Sequence, residues 1–277
     1  MANAVESTII IEPKTRVFEL DFSGLWHHRE LLYFLVWRDL KVRYKQTIIG
    51  IGWALFQPLI SMVIFTVIFG KLAKIPSDGL PYSIFVYSAL LPWNYFATSL
   101  QRCVASVVGD APLISKVYFP RLILPIAGTL SGLADFSVSF ILLLILAFFH
   151  GISVSLNVLV LPLFLLLSLA TALAVGLWLS ALNVRYRDVG YTIPFLVQVW
   201  MYISPILYPV SILPDKYRFI YGLNPMAGVI EGFRWALFAK DSPDRLLMSI
   251  SVFVVVLLLT GGLLFFRGME KTFADVV

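Results

Sequence analysis

The sequence predicts an all-α polytopic membrane protein with six transmembrane helices, an N-terminal amphipathic interface helix and short re-entrant external helices between spans five and six. Composition is the first observation behind this class, because hydrophobic residues make up 60% of the 277 residues and charged residues only 13%. Ordinary globular domains have roughly 45–50% and about 25%, so a soluble core could not hide this much apolar surface. Length is the second, because six apolar stretches reach the roughly 20 residues that a helix needs to cross a bilayer.

The six predicted spans cover residues 50–70, 83–108, 122–149, 156–183, 191–209 and 246–266. Proline lies inside several of them, for example at Pro58, Pro92, Pro162 and Pro205. Membrane helices tolerate proline where neighbouring groups satisfy the freed carbonyls, so these residues predict kinks and not helix ends. We divide the chain into a polar N-terminal segment, the interface helix and the six-span domain, at residues 1–28, 29–46 and 47–277.

Lysine and arginine are concentrated in the segment before the first span, in the second and fourth connections and in the C-terminal tail. The first connection has only Lys71 and Lys74, and the third has no lysine or arginine, although the fifth weakens the contrast. The positive-inside rule therefore predicts that both termini lie in the cytoplasm. Because these connections account for the net charge of +5, the charge does not indicate a nucleic-acid partner.

The interface helix is predicted from the arrangement of side chains over residues 29–46. On a helical wheel one face carries the apolar and aromatic residues Tyr33, Val36, Trp37, Leu40 and Tyr44. The basic residues assigned to this helix are Arg38, Lys41, Arg43 and Lys45, of which all but Arg43 lie opposite that face. This pattern is typical of a helix that rests in the membrane interface. An alternative is a basic anchor whose charges only meet anionic lipid.

The fifth connection contains a second unusual segment. Asn224-Pro225 is a helix-start signal, because a capping side chain is followed by proline at the first helical position. The apolar run at residues 226–239 is too short to cross a bilayer. We therefore predict that it re-enters the membrane surface from outside.

Several kinds of chemistry are missing from the sequence. The pair Gly70-Lys71 is followed by Leu72 and lacks the upstream glycine of a phosphate loop. The three histidines, His27, His28 and His150, do not approach metal-ligand spacing. The sequence thus predicts neither a metal site nor an enzyme, and the single cysteine excludes an intramolecular disulfide.

Asp135 is the one carboxylate near the centre of a predicted span. It follows Gly128 and Gly132, whose spacing allows two helices to approach closely. An intramembrane carboxylate is a candidate functional site, but a packed, hydrogen-bonded or protonated aspartate that holds two helices is the alternative that we favour. Arg102 lies near a helix end, where it could snorkel, and we assign it no special role.

Four segments of the chain resemble the permease subunits of ABC-type polysaccharide exporters. They are residues 43–54 (RYKQTIIGIGWA) with Gln57-Pro58, residues 91–96 (LPWNYF), residues 113–121 (LISKVYFPR) and residues 183–189 (NVRYRDV). Asn224-Pro225 with residues 231–234 (EGFR) is also similar to that family. The likeness extends over nearly the whole chain, in the same order.

The resemblance implies a function and a set of partners. Members of this family move lipid-linked glycans, such as O-antigen, capsular polysaccharide or teichoic acid, across the bacterial plasma (inner) membrane. The permease is a homodimer that works with two copies of a separate ATPase, which binds the ATP and Mg²⁺, so this chain is expected to hold no cofactor. Its other expected contacts are the lipid-linked polysaccharide and membrane lipids.

The resemblance also implies roles for two connections and for the external loop. The connections that would contact the ATPase contain the coupling residues Leu113, Ile114, Lys116, Tyr118, Phe119, Arg121, Arg185, Arg187 and Asp188. The short external helices would form a gate that includes Asn224, Glu231 and Arg234. The residues themselves support a contact between the segment at 113–121 and the ATPase. Pro112 and Pro120 flank an apolar ridge that a simple cytoplasmic turn does not need. The alternative is that this ridge dips into the membrane interface.

Two aromatic stripes are predicted to line the path of the glycan. On the second predicted span, Tyr82, Phe85, Trp93 and Phe96 fall within an arc of about 80°. On the fifth span the stripe contains Tyr191, Phe195, Gln198 and Tyr202. Flat aromatic faces suit the sliding of sugar rings. The alternative is that these residues belong to interfacial belts or to helix contacts.

The leading prediction is therefore the transmembrane subunit of an ATP-driven glycan exporter. One alternative is a permease for a drug, a lipid or another small substrate. A second, from a different class, is a membrane-embedded glycan or lipid transferase. A transferase would need a cluster of carboxylates or histidines near one membrane surface, which the sequence does not offer.

Overall fold

The computed structural model describes residues 22–45, 51–239 and 243–273, and this part of the chain is helical and contains no strand. The N-terminal half contains α1 (Phe22–His27), α2 (Arg29–Tyr44), α3 (Ile51–Phe65), α4 (Tyr82–Gly109), α5 (Ala111–Ile114), α6 (Ile123–Leu130) and α7 (Leu133–Phe149). The C-terminal half contains α8 (Leu161–Arg185), α9 (Asp188–Ile203), α10 (Arg218–Gly222), α11 (Pro225–Phe238) and α12 (Arg245–Glu270). The all-helical class is confirmed. The predicted polar segment and Gln46 of the interface helix lie largely or wholly outside the described residues.

Four helical segments of the described chain are long and apolar enough to cross a membrane: Leu55–Leu72, Ile123–Phe149, Leu156–Arg185 and Arg245–Glu270. The first combines most of α3 with a π-helical continuation at Thr66–Leu72. The other two predicted spans correspond to α4, which has 28 residues but is less apolar, and α9, which has 16 residues. At 1.5 Å per residue these helices are about 42 Å and about 24 Å long. The count of six spans stays a prediction.

Helix α4 is the central helix of the bundle. It packs against α3, α6, α7, α8 and α11, and most of its residues are buried. Its buried hydroxyl groups are satisfied by backbone carbonyls, since Ser88 donates to Phe85 O at 2.9 Å and Ser99 to Thr129 O at 3.2 Å. The lower hydropathy of α4 therefore fits a helix whose neighbours are other helices and not lipid.

The third predicted span is divided into α6 and α7 at Ser131 and Gly132. The carbonyl of Thr129 lies just before this break and accepts hydrogen bonds from the Tyr95 hydroxyl at 3.3 Å and from Ser99. Two side chains of α4 thus satisfy a carbonyl at the point where the helix is interrupted. The break places Asp135 in the first turn of α7.

Gly128 and Gly132 allow α6 to approach α4 closely, as their spacing predicts. A Cβ atom at Gly128 would lie 3.2 Å from the backbone carbonyl carbon of Arg102. A Cβ atom at Gly132 would lie 2.7 Å from Ser99 Oγ. Any side chain at position 128 would therefore press on the backbone of the central helix.

Gly128→Leu should lower the free energy of unfolding by about 1–3 kcal/mol, because a larger side chain forces the two backbones apart. We would measure unfolding of the purified protein in detergent by titration with sodium dodecyl sulfate. Gly268→Leu is the matched control, since a Cβ atom at this position of α12 meets no atom within 4 Å. Equal stability of the two variants would contradict the close approach of α6 to α4.

Helix α11 begins where the sequence predicts a helix start. The Asn224 side chain accepts a hydrogen bond from Met226 N at 3.1 Å, and Pro225 is the first helical residue. The helix has 14 residues, ends at Phe238 and packs against α4, α8 and α12. The helix-start signal is confirmed, whereas the re-entrant position of α11 in a membrane stays a prediction.

Candidate functional site

Helix α2 is fixed to the bundle by its leucine side. Leu35 is 4% exposed and belongs to a hydrophobic cluster that also includes Ile114, Phe119 and Phe266. In contrast, Tyr33 and Trp37 of the predicted apolar face are exposed in the single chain. A helix is therefore present at Arg29–Tyr44, while its amphipathic position in a membrane interface stays a prediction. Of its basic residues, Lys41 places Nζ 5.7 Å from the centre of the Trp37 ring, and Lys45 is exposed.

Arg38 connects α2 to the junction between α4 and α5. Its Nη1 donates to Asp110 Oδ1 at 2.6 Å and its Nη2 donates to Asp110 Oδ2 at 3.0 Å. The same guanidinium also contacts Asp39. The hydrogen bond with Asp110 raises the pKa of Arg38 above its ordinary value, so the guanidinium keeps its charge. Asp110 immediately precedes α5, which begins the predicted coupling segment.

Asp135 is the centre of a second connection between α2 and the bundle. Its carboxylate accepts hydrogen bonds from Arg43 Nη1, from the Tyr44 hydroxyl and, at 3.1 Å, from Arg102 Nη2. Arg102 Nη1 also donates to Ser131 Oγ at 3.0 Å. We call Arg43, Tyr44, Arg102, Ser131 and Asp135 the Asp135 cluster. It joins α2, α4 and the break between α6 and α7.

The Asp135 cluster confirms one interpretation of the sequence and corrects another. Asp135 is hydrogen-bonded and holds helices together, as we favoured. Arg102 was expected to have no special role, and this is wrong, because it forms an ion pair with Asp135. Arg102 lies seven residues before the end of α4 at Gly109, which is about 10 Å along the helix. A charge at this depth in a span needs a partner of opposite charge at the same depth, and Asp135 was the available candidate.

The predicted coupling segment combines buried and exposed side chains. Phe119 is 4% exposed and Ile114 is 8% exposed, and both pack in the cluster that holds α2. Tyr118 is 74% exposed, and Lys116 is exposed beside it. A cavity of about 220 Å³ opens among residues 114–119 and Arg121. Leu113, which precedes these residues, is half-buried. Tyr118 and Lys116 are thus available to a partner, whereas Phe119 stabilises the chain itself.

The remaining predicted coupling residues lie at two places. Arg121 contacts the end of α12, where its backbone N donates to Glu270 Oε1 at 3.2 Å and its guanidinium donates to Glu270 O. Arg185, Arg187 and Asp188 are exposed around the turn between α8 and α9. These three charged side chains are therefore not buried. Within the described part of the chain, no ion pair joins them to the predicted coupling segment.

The aromatic residues of α4 are packed inside the chain. Phe85, Trp93 and Phe96 are at most 2% exposed. The ring centres of Trp93 and Phe96 lie 6.4 Å and 5.0 Å from that of Trp200 in α9. Tyr82 is half-buried and donates its hydroxyl proton to Leu207 O at 2.7 Å. In this conformation the buried three support helix packing and face no open channel.

The predicted stripe on α9 points away from those residues. Phe195 is 67% and Tyr202 is 51% exposed, and Gln198 and Tyr191 are exposed as well. The two stripes therefore do not face each other within one chain. Sequence analysis missed Trp200, which lies on the inner side of α9 and donates to Asn224 Oδ1 at 2.9 Å. The need of a buried indole N–H for an acceptor was the available signal.

The three predicted gate residues make polar contacts that connect α11 to α4, α9 and the segment after α9. Asn224 Nδ2 donates to Ser204 Oγ at 3.0 Å, which ties the end of α9 to the start of α11. Arg234 is 7% exposed, and its guanidinium carbon lies 3.6 Å from the centre of the Phe85 ring. It also forms an ion pair with Glu231 at 3.1 Å and donates to the carbonyls of Phe85 and Ile206. The three predicted gate residues thus lie in one part of the fold.

Burial has a clear effect on ionisation at α10, next to the predicted gate residues. Burial, together with the hydrogen bond to Tyr208, raises the pKa of Tyr221 well above its ordinary value. The Tyr221 hydroxyl therefore remains protonated at neutral pH and can donate to Ile203 O at 3.0 Å. Within residues 22–45, 51–239 and 243–273 no group of three histidine, cysteine, aspartate or glutamate side chains is placed to hold a metal ion.

Comparison with known proteins identifies the family of the chain. The O-antigen export system permease protein RfbA of Myxococcus xanthus is 29% identical over 256 residues, which cover 91% of this chain and 97% of that protein. RfbA of Klebsiella pneumoniae is 28% identical over 90% of this chain and 95% of its own length. The polysialic acid transport protein KpsM of Escherichia coli is 21% identical over 90% of this chain and 97% of its own length. Residues 30–238 match the family model described as ABC-2 type transporter, and the chain therefore belongs to the ABC-2 transporter membrane family, as its sequence predicts.

Proposed function

We propose that this chain is the permease subunit of an exporter that moves a lipid-linked polysaccharide from the cytoplasm across the bacterial plasma membrane. The observation that carries the proposal is the similarity to O-antigen export permeases over about nine-tenths of the chain. ATP hydrolysis would be supplied by two copies of a separate ATPase that bind ATP and Mg²⁺. The permease itself would act as a homodimer with both termini in the cytoplasm.

A membrane arrangement with six spans accommodates the helices in this proposal. The four long apolar segments supply four spans. Helix α4 would supply the second span along the chain, since protein contacts cover its less apolar sides. Helix α9, continued by residues 204–209, would supply the fifth. Helix α11 would then lie in the external leaflet. An even number of spans keeps the two termini on one side.

The exposed stripe of α9 would line the path of the polysaccharide in the homodimer. Phe195, Gln198 and Tyr202 lie on the outer side of the single chain, and a second copy could enclose them. Aromatic faces can stack on the apolar faces of sugar rings, and the Gln198 amide can exchange hydrogen bonds with successive hydroxyls. The α4 residues Trp93 and Phe96 would support the inner side of α9 through their contacts with Trp200.

The function is tested by deleting the gene and restoring it on a plasmid. We expect lipid-linked polysaccharide to accumulate inside the deletion strain and to return to the cell surface with the wild-type chain. The ATPase should co-purify with the restored chain. Normal surface polysaccharide in the deletion strain, with no lipid-linked glycan retained inside, would contradict the proposed substrate.

Tyr118→Ala should weaken the contact with the ATPase by about 2 kcal/mol if the exposed ring fills a partner pocket. We would measure how much ATPase co-purifies with the tagged permease. Tyr217→Ala removes another exposed tyrosine, from the external loop, and should leave co-purification unchanged. Phe119→Ala should instead lower the yield of folded permease, because that ring lies in the core. Equal co-purification with the Tyr118 and Tyr217 variants, at wild-type levels, rules out this contact.

A further inference from the structure

We propose that Arg43, Arg102 and Tyr44 form a binding site for the phosphate ester of a lipid, in which the Asp135 carboxylate is the resident counter-ion. The inference rests on the proposed function and deepens it, because it names the part of the substrate that this site would recognise. A lipid-linked glycan carries a phosphate or diphosphate ester between lipid and sugar.

Convergence of donors is the first argument for the site. Two guanidinium groups and one phenol hydroxyl donate to the two oxygens of a single carboxylate. Planar guanidinium groups match carboxylate and phosphate oxygens with the same paired geometry. The donors that hold Asp135 are therefore already arranged around an oxyanion, and a phosphate oxygen presents the same acceptor.

Access is the second argument. The side chains of Arg43, Arg102 and Asp135 are 27%, 23% and 21% exposed. These groups are packed closely enough to stay fixed, and their open sides can be reached by another molecule. A fully buried ion pair would not admit a ligand without a rearrangement of the helices.

Helix ends provide the third argument. Asp135 is the third residue of α7, a helix of 17 residues, and Arg43 lies in the last turn of α2. The partial positive charge at the start of α7 favours an anion, and the end of α2 favours a cation. An incoming phosphate would meet the same favourable field that now acts on Asp135.

The surface that follows α2 argues for a lipid ester over free phosphate. Helix α3 begins six residues after Lys45, and its exposed side carries Phe56, Ile60 and Ile64 at intervals of four residues. One side of this helix is thus an apolar stripe in the segment that follows α2 along the chain. A ligand with an anionic head and a long apolar tail suits a charged cluster followed by such a stripe.

The binding reaction is an exchange of partners without a covalent step. The phosphate would accept the hydrogen bonds of Arg43, Arg102 and Tyr44, and the Asp135 carboxylate would move to the exposed edge of the cluster. Because Asp135 competes for the same donors, removing its charge should strengthen binding. A cluster with a purely structural role predicts no such gain.

The experiment uses the purified full-length chain without its ATPase, in phosphatidylcholine nanodiscs, with farnesyl diphosphate as the probe. Calorimetric titration gives the dissociation constant. Arg43→Gln and Arg102→Gln should each weaken binding about tenfold, as expected for loss of about 1.4 kcal/mol from one charged contact. Asp135→Asn should tighten it about threefold. Arg29→Gln, at the opposite end of α2, should bind as the wild type does.

Two further ligands separate the sources of phosphate. Sodium pyrophosphate should bind at least tenfold more weakly than farnesyl diphosphate, and equal affinity would overturn the assignment to a lipid ester. Nanodiscs that contain phosphatidylglycerol should leave the farnesyl diphosphate affinity within twofold. Complete loss of the probe's binding there would assign the site to bulk lipid and overturn its role for the substrate.

Export measured in the restored deletion strain separates this inference from the proposed function. If the chain restores export while Arg43→Gln, Arg102→Gln and Arg29→Gln bind the probe equally, the phosphate site is excluded and the exporter stands. If the deletion strain exports polysaccharide normally, the proposed function fails, whatever the probe does. Should Asp135→Asn yield no folded protein, the comparison of Arg43→Gln with Arg29→Gln decides.

Discussion

Asp135→Leu is expected to lower the free energy of unfolding by about 3 kcal/mol, the typical result of removing one partner from a largely buried ion pair. Arg43 and Arg102 would keep their charges but lose the carboxylate that holds both of them. The Tyr44 hydroxyl would lose its acceptor as well. Titration with sodium dodecyl sulfate, together with the yield of dimer in size-exclusion chromatography, measures the loss.

Two variants make this prediction specific. Asp135→Asn keeps the size and an acceptor oxygen, so it should lose much less stability and retain export. Asp39→Leu removes a carboxylate from a more exposed pair with Arg38, and such pairs contribute at most about 1 kcal/mol. If Asp135→Leu is as stable as Asp39→Leu, the cluster does not hold α2 to the bundle. Loss of export in Asp135→Asn at normal protein level would instead require the negative charge itself.

Arg234→Leu is expected to cost about 3–4 kcal/mol, because it leaves the half-buried Glu231 without this ion pair and removes donors from two carbonyls. Arg234 donates to Phe85 O at 3.4 Å and to Ile206 O at 3.2 Å and covers the Phe85 ring. The same residue thus ties α11 to α4 and to the segment after α9. We expect export to fall together with stability.

The control and the coupling measurement use neighbouring residues. Arg218→Leu breaks the pair with Asp244 in the same connection, where the arginine side chain is 37% exposed, and should cost about 1 kcal/mol or less. The double variant Arg234→Leu/Glu231→Leu should lose less than the sum of the single losses, since the two residues share one interaction. Strictly additive losses would show that Glu231 and Arg234 act independently.

Local features of the fold were predictable from the sequence, because they depend on residues close together in the chain. The start of α11 at Asn224-Pro225 needs only a capping side chain and a proline. The close approach at Gly128 needs only the absence of a side chain. The helical class follows from composition, since a backbone in hydrocarbon must satisfy its own hydrogen bonds.

Contacts between distant residues were not predictable in the same way. Arg43 and Asp135 are 92 positions apart, and neither residue identifies the other. A helical wheel placed Phe85, Trp93 and Phe96 on one face of α4, but it could not say whether that face meets a channel or another helix. Apolar length predicted a span at residues 83–108, but it could not show that α4 lies at the centre of the bundle with other helices packed around it.

The two attachments of α2 limit how it can move. Arg38 bonds to Asp110 at the end of α4, and Arg43 shares Asp135 with Arg102 of the same α4. Five residues, or about 7.5 Å of helix, separate the two attachments. A helix attached at one point can rotate about that point, but α2 is attached at two points and so keeps its direction relative to α4. Any force that displaces Asp110 would therefore carry α2 and the last two turns of α4 together as one rigid body.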